Sequence, residues 1–211
     1  MFVNSDRNWR LPWEWSRLGE GGAGGTLTLS VPIAIHPYSA EWPTRYEHWA
    51  ERIRGALGRK ALRVEHIGST AVPGLAAKDV IDIQVSVASF VPEAAYRTPL
   101  ESLGYTYRPD DDPAHRFFKR DGPGDRRLVN IHVCEVGSAW EERHLFFREY
   151  LRTNPKAAAE YELLKVRLSA EHDDVLSYTE AKSDSIAKAM RHDQNSGQSI
   201  EPATRHRDPE V

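Results

Sequence analysis

The sequence predicts an α+β fold, a mixed β-sheet flanked by helices with a helical C-terminal part. Three observations carry this. Residues 80–87 alternate strictly, with Val80, Asp82, Gln84 and Ser86 on one face and Ile81, Ile83, Val85 and Val87 on the other, which is the period of a strand. Residues 115–120 and 127–135 read as paired strands around the turn Asp121-Gly122-Pro123-Gly124. The last third carries two S-x-x-E capping boxes, Ser138 with Glu141 and Ser177 with Glu180, and between them the helix start Asn154-Pro155.

Residues 1–30 stand apart as an extension. Trp9, Trp13 and Trp15 crowd one segment, and Gly21, Gly22, Gly24 and Gly25 form a flexible joint after it. Disordered tails are poor in aromatics, so docking on the domain or a partner stands equal with an unstructured extension. Residues 30–35 read as a first strand. Pro43 opens a helix in which Trp42, Tyr46, Trp49, Ile53, Ala56 and Leu57 recur at helical spacing, and Gly58 suits its C-terminal cap. A strand holding Val64 and Ile67 runs into Gly68-Ser69-Thr70 and a Pro73-Gly74 turn before the central strand.

Pro92 marks a helix start and Gly104 its end, with Leu100 and Leu103 between. Residues 105–108 make a short strand, and Asp110, Asp111 and Asp112 a solvated acidic turn. In the strand that follows, Asn130, His132 and Cys134 share one face and Val129, Ile131 and Val133 the other. One helix runs from Ser138 to about Thr153, and the next turns Tyr161, Leu164 and Leu168 inward. Residues 192–211 are polar and aperiodic, the composition of a disordered tail. No internal repeat is present.

A chain of 211 residues, 40% hydrophobic, fits one domain of residues 31–191 between these extensions. Its net charge of −3 supplies no long-range attraction to nucleic acid. A single cysteine, Cys134, cannot form an internal disulfide and suits a reducing compartment. No apolar run approaches the roughly 20 residues of a membrane span, and the first residues lack a signal-peptide core. The expectation is a soluble cytoplasmic protein whose partner is a small-molecule or nucleotide ligand rather than a membrane or nucleic acid.

Asp82 is the leading candidate for chemistry, because a carboxylate in mid-strand is costly unless paired, solvated or metal-bound. It either accepts bonds from the amides of residues 68–70 or holds magnesium, which prefers oxygen ligands. Gly68 allows a phosphate to approach backbone N–H groups, Ser69 and Thr70 add hydroxyl donors, and a helix opening there would add a favourable dipole. His66, Asp82 and His132 together could hold a transition metal; each histidine could instead be a buried ring bonded to a neighbour. Lys78, Arg116, Lys119, Arg148, Lys165 and Lys182 would make an anion pocket if they converged. Nothing orients Cys134 toward His132, so it reads as a core residue.

The run His66-Ile67-Gly68-Ser69-Thr70-Ala71-Val72-Pro73-Gly74-Leu75, with Lys78 and Ile81-Asp82-Ile83, resembles the signature of the GrpB family. Asn130-x-His132, Arg143-His144-Leu145-x-Phe147-Arg148, Tyr161-x-x-Leu164-Lys165 and Tyr178-x-x-x-Lys182 extend the resemblance over residues 31–191. It departs at Asp79, where the family often has proline. The family is similar to a branch of the nucleotidyltransferase-fold superfamily, in which a strand ends in Gly-Ser or Gly-Gly, opens a helix, and the next strand presents Asp-x-Asp or Asp-x-Glu to magnesium. Gly68-Ser69 and Asp82 match that pattern; Gln84 stands where the second carboxylate would be.

The resemblance implies a nucleotidyltransferase-like fold and transfer of a nucleotidyl group from a nucleoside triphosphate to a small-molecule acceptor. Asp82 and His132 would be catalytic, a divalent metal (magnesium) would be the cofactor, and the Gly68 turn with the cations would hold phosphate. Two-metal transfer normally uses about three carboxylates, and only Asp82 is placed. Two other readings therefore stay open: a non-catalytic nucleotide- or anion-binding module, and a small-molecule enzyme with a His/Asp metal site. The strand of residues 81–87 is expected to be central and next to that of residues 128–133, with Asp82 and His132 opening into one cleft.

Overall fold

The computed structural model describes residues 33–109, 112–122, 127–172, 177–179, 181–182 and 186. The readings placed on Trp9, Trp13, Trp15, the Gly21–Gly25 joint, Asp110, Asp111, the Pro123-Gly124 turn, Glu180 and residues 192–211 lie outside the described residues. Within them, helix α1 (Glu41–Leu57) leads to β1 (Arg63–Ile67), β2 (Ile81–Val87), α2 (Ala94–Ser102), β3 (Thr106–Arg108), β4 (His115–Asp121), β5 (Arg127–Glu135), α3 (Ala139–Thr153) and α4 (Pro155–Glu171). Residues 177–179 and 181–182 are helical beyond α4.

The five strands form one mixed sheet in the order β1-β2-β5-β4-β3. Strand β2 runs parallel to β5 and antiparallel to β1, while β4 is antiparallel to both β5 and β3. This is the mixed sheet with flanking helices that the pattern predicts. Strand β2 does lie beside β5, but the middle position belongs to β5. A parallel neighbour needs a crossover, and α2, β3 and β4 supply it.

The two sheet faces differ in chemistry. Ile81, Ile83 and Val85 of β2 and Val129, Ile131 and Val133 of β5 are wholly buried against Ala50 and Ile53 of α1 and Leu100 of α2. Each such side chain contributes about 1.5–3 kcal/mol over its exposed state. The stripe on α1 is Trp42, Tyr46, Ala50, Ile53 and Leu57; Ala56, expected inward, is exposed, about 100° round the helix from Leu57. Gly58 ends α1 at a φ of 52°, a conformation that favours glycine, with its N–H on Arg54 O. The other face is polar and is packed by α3, while α4 packs against α3 and the segment of residues 69–76.

The expected first strand is not present in its described part. Residues 33–35 have no ladder, and a single bridge pairs His36 with Ala77. Ile33 packs instead against Leu168 and Tyr178, so its burial comes from helices rather than from sheet pairing. Ser138 caps α3 by accepting from Glu141 N, and Asn154 caps α4 by accepting from Ala157 N; the Glu141 carboxylate takes the Gly137 N–H and the Ser86 hydroxyl and does not close the expected capping box. None of the helices among the described residues is long and apolar enough to cross a membrane.

Candidate functional site

Strand register lays the polar face out in three rows. At the open end, Ile67, Asp82, Asn130 and Lys119 lie side by side across β1, β2, β5 and β4. Glu65, Gln84, His132 and Phe117 form the next row, and Arg63, Ser86, Cys134 and His115 the third. The third row is sealed by α3. Glu141, 1% exposed, accepts from the Ser86 hydroxyl and the Gly137 N–H, each at 2.5 Å, and pairs with Arg63 at 3.3 Å. Trp140 stacks on His144 at 3.6 Å and faces His115 and His132 at 5.1 and 5.4 Å.

The first row is the candidate site. Gly68 follows β1 with a φ of 72°, and a Cβ there would lie 2.5 Å from Asp82 Oδ2. Glycine is needed twice at this position, for the backbone angle and for the approach of the carboxylate. Asn130 Nδ2 donates to Asp82 Oδ1 at 2.7 Å, and His132 Nε2 lies 3.8 Å from the same oxygen, beyond hydrogen-bond length. Burial pushes the Asp82 carboxyl upward, but His132, Asn130 and the Lys182 ammonium outweigh it and hold the group below its usual range. The site therefore presents an ionised carboxylate against an exposed glycine turn.

No α-helix opens after Gly68. Ser69–Ala71 is a single 3₁₀ turn, and Val72 is already extended, because a residue before proline avoids the helical region. A helix dipole for phosphate is thus absent from this turn. Ser69 is half-buried and hydrogen-bonded to Tyr161 of α4. Thr70 is not available to a ligand: it is 2% exposed, and its hydroxyl lies 3.0 Å from His66 Nε2 and donates to Val80 O at 3.3 Å.

The proposed metal trio does not assemble. Asp82 and His132 share the polar face as expected, but His66 pairs with Ile83 and so lies on the apolar face. There it stacks on Tyr46 at 4.7 Å, and burial drops its pKa to about 4. Among the described residues, no three His, Cys, Asp or Glu side chains are placed to hold a metal ion. Glu65 takes the face that His66 was expected to share, but it is paired with Arg148 at 2.8 Å.

The cations divide. Lys182 acts on Asp82 and on Lys165 through its charge, and Lys182 and Lys78 lie 5.6 and 4.6 Å from the centre of the Tyr178 ring. Lys119 shares the face of Asn130 and pairs with Asp121 at 2.6 Å. The other three leave the pocket. Arg116 pairs with Val133 in register, on the apolar face, and lies over Phe90 at 4.2 Å. Arg148, 12% exposed, is committed to Glu65, Glu149 and His66 O, bolting α3 to β1. Lys165 is 2% exposed, donates to Ala76 O, and is pulled down to about 7, chiefly by burial.

Cys134 is wholly buried beside Ser86 Oγ at 3.8 Å, and burial pushes its thiol up to about 12, as befits a core residue. Asp79, where the family often has proline, accepts from Trp42 Nε1 at 2.9 Å and pairs with Arg45. It borders a recess of about 440 Å³ beside His36, Glu41 and Trp42 that shares no lining residue with the Asp82 site. Two participants were harder to find in the sequence. Glu65 was signalled by its apolar neighbour Val64, which fixes the face of β1; the Trp140 stack had no local signal.

A family model described as GrpB protein matches residues 32–192. A UPF0157 protein of Halalkalibacterium halodurans is 40% identical over 178 residues, 82% of this chain and 89% of the relative. The crystal structure of the conserved protein GrpB from Enterococcus faecalis superposes with a TM-score of 0.62 at 31% identity, covering 74% of this chain and 99% of that one. A Cid1 poly(U) polymerase chain gives a TM-score of only 0.44 at 16% identity, over 64% of this chain and 43% of its own, a likeness too slight to carry weight.

Proposed function

The chain belongs to the GrpB family, and we propose that it binds a magnesium-complexed nucleotide at the Gly68–Asp82 site and belongs functionally with the nucleotidyltransferases. The observation that carries this is the closeness of Asp82 Oδ2 to Gly68, where a Cβ would have no room. An ionised carboxylate repels a phosphate laid on that turn unless a cation lies between them. Magnesium commonly meets a protein through one or two carboxylates and takes its remaining oxygens from substrate phosphates and water. Asp82 suits that part, and a magnesium ion that arrives with the nucleotide requires no protein cage. Lys182 and Lys78 supply positive charge on the α4 side.

Nucleotidyl transfer is the reaction this site favours. An acceptor hydroxyl oxygen would attack the α-phosphorus as the bond to the departing pyrophosphate breaks, and the hydroxyl proton would leave to solvent or to Asp82. His132 is better placed as a positioning residue than as the base. Its Nε2 faces Asp82, and its Nδ1 is sealed from solvent. The test is a thermal-shift series of the four nucleoside triphosphates with and without magnesium, since a ligand that binds only the folded state raises its melting temperature. A shift that needs both nucleotide and magnesium supports the reading, and release of pyrophosphate with an acceptor present establishes transfer. A shift given equally by magnesium-free nucleotide favours a plain anion-binding module.

A further inference from the structure

Gln84 is the side chain that the fold leaves least explained. It is 0% exposed, and both its Oε1 and Nε2 lack a hydrogen-bond partner within the described protein. One register step away on β5, Asn130 gives its Nδ2 to Asp82, while its buried Oδ1 is likewise without a partner. On the polar face, then, Asn130 Oδ1 lies in the row of Asp82, and the Gln84 acceptor and donor lie in the next row inward. Native proteins leave few such groups, because a donor or acceptor shut away from water without a partner loses its hydration and gains nothing in return. In the second row Gln84 lies between Glu65 and His132, whose side chains are 37% and 20% exposed.

We propose that Gln84 and the Asn130 carbonyl form a recognition subsite for the nucleobase, or an equivalent planar edge with adjacent donor and acceptor, of the ligand bound at Asp82. This rests on the nucleotide reading above. A carboxamide presents a donor and an acceptor side by side, and glutamine uses that pair to grip a base edge in bidentate fashion. A spacing of two residues along β2 puts the Gln84 Cα about 6.6 Å from that of Asp82. That is a suitable reach when phosphates lie at the Gly68 turn and the base lies inward. The neutral Gln84 is then not a lost metal ligand. It gives the site a reading group where a second carboxylate would give it a second cation.

The experiment compares affinities for a magnesium nucleoside triphosphate and for magnesium tripolyphosphate, which carries the phosphates without a base, in the wild-type chain and in Gln84→Met. Methionine keeps the volume and removes the donor and acceptor. The wild type should bind the nucleotide at least about tenfold more tightly than tripolyphosphate, the scale of one or two good hydrogen bonds. Gln84→Met should erase that preference, leave tripolyphosphate binding unchanged and melt higher without ligand, since a buried unpaired amide is gone. A wild type that holds both ligands equally overturns the subsite while leaving the phosphate site standing, and this arm needs no variant to fold. A Gln84→Met protein that keeps the full preference also overturns it, the unpaired amides then being served by buried water only. Binding of neither ligand by the wild type removes the nucleotide reading and the subsite together.

Discussion

The two faces of the central sheet are built from the same strands, residue by residue, and they behave as different materials. The face of Ile83, Val85, Ile131 and Val133 is dry and closed by α1 and α2. The face of Asp82, Gln84, Asn130 and His132 carries charge, unpaired amides and a glycine turn. Closely packed apolar side chains need only volume and pattern, so the first face makes the fold. Buried polar groups are costly unless satisfied, so those that persist on the second face point to something the protein does. The difference between the faces separates stability from function on one sheet.

That separation can be broken by substitution. The largest effect is expected from Ile83→Ala on the dry face, with a loss of about 2–5 kcal/mol in denaturant unfolding and unchanged ligand affinity in the fraction that stays folded. Next comes Glu141→Gln, which weakens the latch between α3 and the third row. Three partners of a buried carboxylate are affected, and the expected cost is about 1–3 kcal/mol. A Glu141→Gln protein as stable as wild type would mean that α3 is held elsewhere, with Arg148 the first suspect.

A pH titration sharpens the comparison, because each side of the sheet holds a depressed histidine. Burial lowers His66 to about 4 on the apolar face and His144 to about 3 on α3, both from an ordinary 6.5. In the window below 6.5 the unfolded chain binds protons that the folded chain refuses. The stability that these groups contribute is therefore whole above about 6.5 and is lost as pH falls through 4 toward 3. Chemical unfolding at pH 7, 5.5 and 4.5 should show a falling free energy, and His66→Phe should flatten the slope. A slope unaltered by His66→Phe would place the acid sensitivity elsewhere.

The sequence made some of this layout readable and hid the rest for a definite reason. Alternation sorted the residues of β2 and β5 correctly, the Ser138 cap located α3, and Asn154-Pro155 located α4. Alternation fixes the faces within a strand, however, and not which face of one strand joins which face of the next; a slip of one residue reverses the answer. Alternation grouped His66 with Val64 and Arg116 with Phe118, but it did not show that these faces belong to the apolar core, where Val64 and Phe118 are buried, and not to the Asp82 site. The commitments of Arg148 to Glu65 and of Lys165 to Ala76 are contacts across about 80 to 90 residues of chain, and no local pattern announces them. The neutral Gln84 was visible in the sequence; its unpaired amide was not.

The most direct measurement is calorimetric titration of magnesium-complexed nucleoside triphosphate into the wild-type chain and into Asp82→Asn, which keeps the shape and removes the charge. Asparagine still offers an oxygen to Asn130 but no longer a carboxylate beside Gly68. The wild type should bind only with magnesium present. Asp82→Asn should lose that magnesium-dependent binding by at least about tenfold, the loss of a charge-assisted contact, while still unfolding in one cooperative step. If Asp82→Asn binds the magnesium nucleotide as tightly as the wild type, Asp82 serves the fold alone and the polar face is not a nucleotide site.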